Sequence, residues 1–360
     1  MSTLRPVRVT QPFSRFDFAF GMEEVPEQGV NPPPSLVLAS DIQLAPDLRV
    51  SSLTRVDREE IRRACEFRQK GVGRRETLRP LTYALIRDLG VLEDDDQDWR
   101  GRLELALALS RLIRASTLGL EVWGRGHRGI DGELDRISVN YGAPALKAPG
   151  AAWWLLPGEW DDVARWLGLL DAGASPISWL GLDDRLSPRV ANALRLMGKA
   201  AFQDTAQLRY LICVPALEGM VVQGATRGVG RIFTERLLQV ANEVRYPIFE
   251  DDLAAIYERR SAVAHEGMFR GQTPADVVEY STKLDRLLAA ILRRCIEDPD
   301  FCAAFQDLET VQQRWPVPER RYCDAWMYKE AGALEDARSC LVVRTERKAR
   351  ALAHGGKAKS

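Results

Sequence analysis

The sequence predicts an α+β N-terminal region followed by an all-α helical bundle. Up to about Ala172, short apolar runs of strand type alternate with helix-period segments, and after "GASPISWLGLDD" helical signals follow one another to residue 296. Composition agrees, since 46% hydrophobic and 28% charged residues in a 360-residue chain can fill proper cores. The expected organisation is an α+β domain over 1–183, a helical domain over 184–312, a helical extension over 313–343 and a basic, disordered tail over 344–360.

In the first region "PVRVT", "SLVLAS", "LEVW", "RISVNYG" and "AAWWLL" read as strands, and "VDREEIRRACEFRQ" and "RLELALALSRLIRAS" as helices. Thr54 and Asp57 give a capping-box spacing ahead of the former helix. A further helix, "EWDDVARWLGLLDAG", sets Trp160, Val163, Leu167 and Leu170 on one stripe and stops at Gly173. The acidic run "LEDDDQDW" reads as solvated surface rather than a metal site. "GRGHRGIDG" around His127 reads as a flexible turn between strands.

In the second region Ser187 and Pro188 cap and open one helix, and Asp204 caps the next, which Pro215 should kink. "VGRIFTERLLQVANEV" and "IFEDDLAAIYERRSAVA" supply a third and a fourth. In the fifth Thr273 caps, Pro274 takes the first turn and Asp276 completes a capping box. Val277, Leu284, Leu287, Leu288, Ile291 and Cys295 form its buried stripe, with Arg286, Arg293 and Arg294 outside it. This succession is the pattern of a helical bundle. Beyond it "DFCAAFQDLETVQQR" reads as helix, "WPVPE" breaks it, and "RTERKARALAHGGKAKS" is a terminus whose alternative role is nucleic-acid contact.

Fifty Lys and Arg against 51 Asp and Glu remove any whole-chain charge argument for an acidic or basic partner. The start "MSTLRPVRVT" lacks a signal-peptide core, and "LELALALSRLI" is short and interrupted by Glu104 and Arg111, so a cytoplasmic protein without a membrane span is expected. Cys65, Cys213, Cys295, Cys302, Cys323 and Cys340 make no CxxC pair, which argues for reduced thiols and against zinc; no metal or other cofactor is expected. "GATRGVG" reads as a loop between helices, and no HExxH, Walker or Ser/His/Asp arrangement appears.

One stretch carries chemistry: "YERRSAVAHEG", Tyr257 to Gly267, holds one of only three histidines behind an arginine pair. Read blandly, it is a helix end whose cations favour the last turn and whose Gly267 caps it. Read as a site, Arg260 and His265 act together, although five residues of regular helix set two side chains about 140° apart. Either the helix unwinds before Gly267 or a second subunit brings the two kinds of residue together.

"AIYERRSAVAHEG" resembles the Arg-polar-x3-His signature of the HEPN superfamily, and specifically its Apea-like branch, whose members often read like "LYxxRSxxVHG". "RYLICVPALEGMVV" resembles that branch's "ALEALL" helix and "FTERLLQVAN" the helix after it, so the resemblance covers about Ser187 to Ile296. Glu266 departs from the pattern by standing between His265 and Gly267, where it bears on the histidine's pKa.

The resemblance implies metal-independent endoribonuclease activity of the toxin or defence type, with RNA as substrate, a homodimer through the helical domain, and an inhibitory or sensor partner protein. His265 would move the proton of a 2′-hydroxyl or of the leaving 5′-oxygen. Arg260 would stabilise the phosphate as it gains charge, and Ser261 would orient the histidine or bond a phosphate oxygen. Glu218, at the family's acidic position, would anchor an arginine. Arg259, Tyr257 and Glu266 complete the set as substrate-binding or supporting residues. The alternative is a non-catalytic module that binds nucleic acid, a nucleotide or a protein.

Overall fold

The fold is that of a computed structural model, which describes residues 14–20, 41–52, 83–90, 99–113, 122–128, 134–141, 155, 157–172, 177–200, 203, 205–222, 228–266 and 273–317. Met1–Pro316 forms one compact unit and Val317–Ser360 a second, of which Val317 alone is among the described residues. The basic tail and most of the helical extension therefore lie outside them.

An α+β start precedes a helical bundle. Six strands, β1 (Ser14–Phe20), β2 (Ile42–Ala45), β3 (Leu48–Ser52), β4 (Tyr83–Gly90), β5 (Val122–Arg128) and β6 (Leu134–Tyr141), form one antiparallel sheet in the order β2-β3-β4-β1-β5-β6. Phe18 of β1 stands opposite Ile86 on one side and Gly124 on the other. Along β3, Leu48 and Val50 are buried while Arg49 between them is not, the two-residue alternation of a sheet with one covered face.

"LEVW" and "RISVNYG" overlap β5 and β6, but the turn expected around His127 is a correction. Gly124 to Arg128 belongs to β5, with His127 in register with Arg15 of β1 and Asp135 of β6. Glycines weaken a strand signal, and pairing on both sides restores it. "PVRVT", "SLVLAS", the helix "VDREEIRRACEFRQ" with its Thr54 cap and all of "LEDDDQDW" before Trp99 lie outside the described residues, as does "AAWWLL" apart from Leu155.

Helix α1 (Trp99–Ile113) is buried almost throughout, from Arg102 and Leu103 to Leu112. Elements pack around it on several sides: α1 touches β1 and β4 as well as α2 (Pro157–Leu170), α3 (Pro188–Ala200) and α7 (Pro274–Glu297). One apolar core accordingly runs from Leu44 in β2 to Trp315, across the boundary expected at 183. Arg102 is 0% exposed in it, and its guanidinium binds both carboxylate oxygens of Asp171 at 2.8 and 2.6 Å, the Ile177 carbonyl at 2.8 Å and Asp47 at 3.3 Å.

The bundle continues through α4 (Ala206–Val221), α5 (Val229–Glu243), α6 (Glu250–Glu266) and α7, followed by the short α8 (Pro299–Ala303) and α9 (Leu308–Arg314). Helix α4 is the hub, in contact with α3, α5, α6 and α7, and Pro215 lies within its span. The capping box of Thr273 and Asp276 is present on α7, and the expected stripe from Val277 to Cys295 is buried.

Other caps are corrected. Thr205 caps α4 by accepting from the Leu208 N–H, and Asp204, the expected cap, lies outside the described residues. Ser187 precedes α3, but its hydroxyl makes no cap bond. "DFCAAFQDLETVQQR" divides at Asp307, which starts α9 with its own capping box. Arg286 lies outside the buried stripe of α7, and its guanidinium binds the carbonyls of Ile113 and Arg111 at the end of α1.

Candidate functional site in the groove between α3, α4 and α6

Leu253, Ile256 and Val263 are the buried anchors of α6, and helical spacing puts Arg260 on that same inward stripe. A guanidinium so placed needs a partner. It finds Glu218 of α4, Nη2 to Oε2 at 3.2 Å, with side chains 35% and 20% exposed. Tyr257, one turn earlier, donates its hydroxyl to the other carboxylate oxygen of Glu218 at 3.4 Å. Burial first, and then the Glu218 carboxylate, push the Tyr257 hydroxyl above its ordinary pKa, so it stays a donor.

The tyrosine ring is fixed by its neighbours. It lies against buried Phe233, with centroids 5.1 Å apart, and presses on the first turn of α5 at Gly230. A Cβ at 230 would come within 2.8 Å of Tyr257 Cδ1. Gly228, just before, opens α5 at φ 64°, a left-handed conformation that glycine adopts without strain. Of the glycines of "GATRGVG", Gly230 thus gives Tyr257 its place and Gly228 turns the chain into α5. Gly224, the third, lies outside the described residues.

Glu218, Tyr257 and Arg260 line an open groove of about 760 Å³, together with Pro188, Arg189 and Asn192 of α3 and Pro215 of α4. Arg189 was not legible as a site residue. Its guanidinium donates to the Gly219 and Met220 carbonyls at 3.3 Å, and buried Arg236 donates to Val221 at 2.6 Å. Two arginines therefore occupy the last carbonyls of α4, where helix ends lack internal partners and favour positive charge. Burial lowers the pKa of Arg189. "SPRV" at a helix start held no hint of this, because the bond is made to a helix distant in sequence.

Arg259 points away from this group. Its guanidinium stacks 3.7 Å from the centre of the Tyr280 ring on α7, and one of its nitrogens is buried without a hydrogen-bond partner among the described residues. Ser261, His265 and Glu266 belong to α6, whose backbone is helical through Glu266, and their side chains lie outside the described residues, as does Gly267. The unwinding considered before Gly267 does not occur up to Glu266, so helical positions 260 and 265 remain about 140° apart.

Two guanidinium groups, an amide and a phenol around one carboxylate can receive a phosphate or another planar anion, with Glu218 both orienting Arg260 and limiting the net positive charge. Among the described residues no group of three or more His, Cys, Asp and Glu side chains could hold a metal ion, and no helix is long and apolar enough to cross a membrane. Comparison with known proteins finds no family model, no curated protein and no solved structure that matches the chain.

Proposed function

We propose that the chain is a metal-independent endoribonuclease of the HEPN toxin or defence type, working in the cytoplasm. The observation that carries this reading is Arg260, held by Glu218, whose other carboxylate oxygen accepts from Tyr257, at the edge of an open groove that Arg189 also lines. A guanidinium oriented before the substrate arrives stabilises a phosphate gaining charge without further ordering. In the proposed reaction the 2′-oxygen bonds to phosphorus as its proton leaves, and the bond from phosphorus to the 5′-oxygen breaks as that oxygen is protonated. His265 performs one proton transfer, Arg260 stabilises the phosphorane, and Ser261 orients the histidine or a phosphate oxygen. Because positions 260 and 265 diverge on one continuous helix, a homodimer supplies the second set of groups.

That same divergence favours the second reading, a non-catalytic module that binds RNA, a nucleotide or a protein through the groove. Incubating purified protein with total RNA, beside the Arg260→Ala/His265→Ala variant, separates the two. Cleavage by the parent and not by the variant, with both equally folded by circular dichroism, supports the enzyme. RNA retained intact by the parent supports the binding module, and an unfolded variant assigns Arg260 a structural role.

A further inference from the structure

The groove around Arg260 holds one more group able to move a proton, the hydroxyl of Tyr257. Tyr257 and Arg260 stand three residues apart on α6 and converge on one carboxylate. Arg260 Nη2 lies 3.2 Å from Glu218 Oε2, and the Tyr257 hydroxyl donates to Glu218 Oε1 at 3.4 Å. A phosphate met at one oxygen by a guanidinium and at another by a hydroxyl needs the same spacing of donors. Glu218 is the only ion-pair or hydrogen-bonding partner of Arg260 among the described residues, so donors of the guanidinium fork remain for a substrate oxygen. The tyrosine ring cannot follow a substrate, since it is held between Phe233 and the first turn of α5 at Gly230. Its hydroxyl hydrogen can, because the bond to Glu218 is at the long limit and the O–H rotates.

We propose that Tyr257 is a catalytic residue of the ribonuclease reaction, the general acid that protonates the leaving 5′-oxygen, an assignment that rests on the groove being an RNA-cleaving site. His265, from either copy, takes the 2′-hydroxyl proton as the 2′-oxygen bonds to phosphorus. Arg260 holds the nonbridging oxygens while the bond from phosphorus to the 5′-oxygen breaks, its electron pair going to that oxygen. The Tyr257 proton passes to it, which leaves a 2′,3′-cyclic phosphate, a 5′-hydroxyl and a tyrosinate that regains its proton from water. A departing alkoxide is a stronger base than a phenolate, so the transfer runs downhill, and no histidine has to serve as base and acid at once.

The charges around the hydroxyl suit an acid. Glu218 faces it from α4 and Arg260 from its own helix, Arg189 of α3 lines the same groove, and α5 presents the uncharged Phe233 and Gly230. Burial first, and then Glu218, outweigh Arg260 and keep the phenol protonated.

The test compares cleavage of a short RNA with that of the same RNA carrying sulfur at the 5′-bridging position, where the thiolate leaves without a proton. Tyr257→Phe keeps the ring against Phe233 and is expected to lose about 10²–10⁴-fold in kcat on the oxygen substrate, yet to stay within a few-fold of the parent on the sulfur one. His265→Ala, lacking the base, stays slow on both. An equal loss by Tyr257→Phe on both substrates makes the tyrosine a positioning residue, no loss on the oxygen substrate removes it from the reaction, and rescue of His265→Ala by sulfur makes the histidine the acid; each overturns the proposal and leaves the ribonuclease reading in place. A parent that cuts neither RNA refutes that reading, and the proposal falls with it. Should Tyr257→Phe fail to fold, a ring-fluorinated tyrosine at position 257 decides. It keeps the hydroxyl and makes it more acidic, so the alkaline limb of kcat should move to lower pH, and a limb that stays in place overturns the proposal.

Discussion

Gly230→Ala offers a measurement of how tightly Tyr257 is held. The new Cβ would lie 2.8 Å from Cδ1 and 3.0 Å from Cε1 of the ring. Carbon atoms rest at about 3.5–4.0 Å, so the ring must retreat by roughly 0.7–1.2 Å. Phe233 stands on its face and Glu218 holds its hydroxyl, so the retreat loosens the aromatic contact or breaks a hydrogen bond that is already 3.4 Å long. Overpacking of this kind costs about 1–3 kcal/mol. Replacing a helical glycine by alanine returns about 1 kcal/mol at most. The net expectation is a loss of up to about 2 kcal/mol, read as a lower urea midpoint by circular dichroism with an unchanged slope. In a Tyr257→Ala background the ring is gone, and the same substitution becomes neutral or stabilising. The coupling between the two sites should therefore reach about 1–3 kcal/mol. Equal effects of Gly230→Ala in both backgrounds would refute the close approach, and with it the account of how Tyr257 and Arg260 are positioned.

Removing Asp171 by Asp171→Ala should cost about 3–5 kcal/mol in a urea titration, because Arg102 is 0% exposed and loses a two-point partner, whereas Arg102→Met should cost less. Cleavage of RNA should persist in EDTA and leave 2′,3′-cyclic phosphate ends, since proton transfer and charge stabilisation are assigned to side chains; a magnesium requirement with 5′-phosphate ends would refute the assignment to His265. Alkylation of Cys302 by neutral iodoacetamide should be half-maximal near pH 7 and fall as the pH drops, because protonation removes the thiolate; a midpoint near about 8.5 would show an ordinary thiol. Specific cleavage activity should rise with concentration as dimer forms in sedimentation, and full activity in a strict monomer would rule out a shared groove.

What the sequence disclosed about the fold follows from how local each signal is. The capping box at Thr273 and the stripe from Val277 to Cys295 involve residues a few positions apart, and both were legible. Strands β1 to β4 were not read: "SRFDFAF" does alternate, with Phe16, Phe18 and Phe20 at every second residue, but "YALIRDLG" does not, and the pairing that sets Phe16 opposite Asp88 and Phe18 opposite Ile86 joins segments far apart in the chain. The glycines around His127 misled for the same reason, since two-sided pairing overrides a poor strand preference. Arg102 and Arg111 interrupt "RGRLELALALSRLIR" in a way that suggests an exposed face, yet both are buried, Arg102 on Asp171 and Arg111 on the Gly198 carbonyl. A buried guanidinium is specified by its partner, and those partners lie far along the chain.

The site separates along the same line. Motif spacing draws the eye to Arg260 and His265 as a pair, but the three-dimensional grouping is Arg260 with Glu218 and Tyr257. A signal for that grouping was present in "DLAAIYERRSAV", where Leu253, Ile256 and Val263 mark the inward stripe and leave Arg260 within it, and a buried-face arginine demands a carboxylate from a neighbouring helix. The same periodicity places position 265 on the other side of α6, and the backbone is helical through both. Whatever chemistry joins Arg260 to His265 must therefore use either a substrate that reaches around the helix or a second copy that presents its own α6 across a shared surface. RNA can do the first only by wrapping an edge of the bundle. A two-fold axis does the second with no distortion of α6, which is why the proposed enzyme is a dimer and why the monomeric alternative is a binding module.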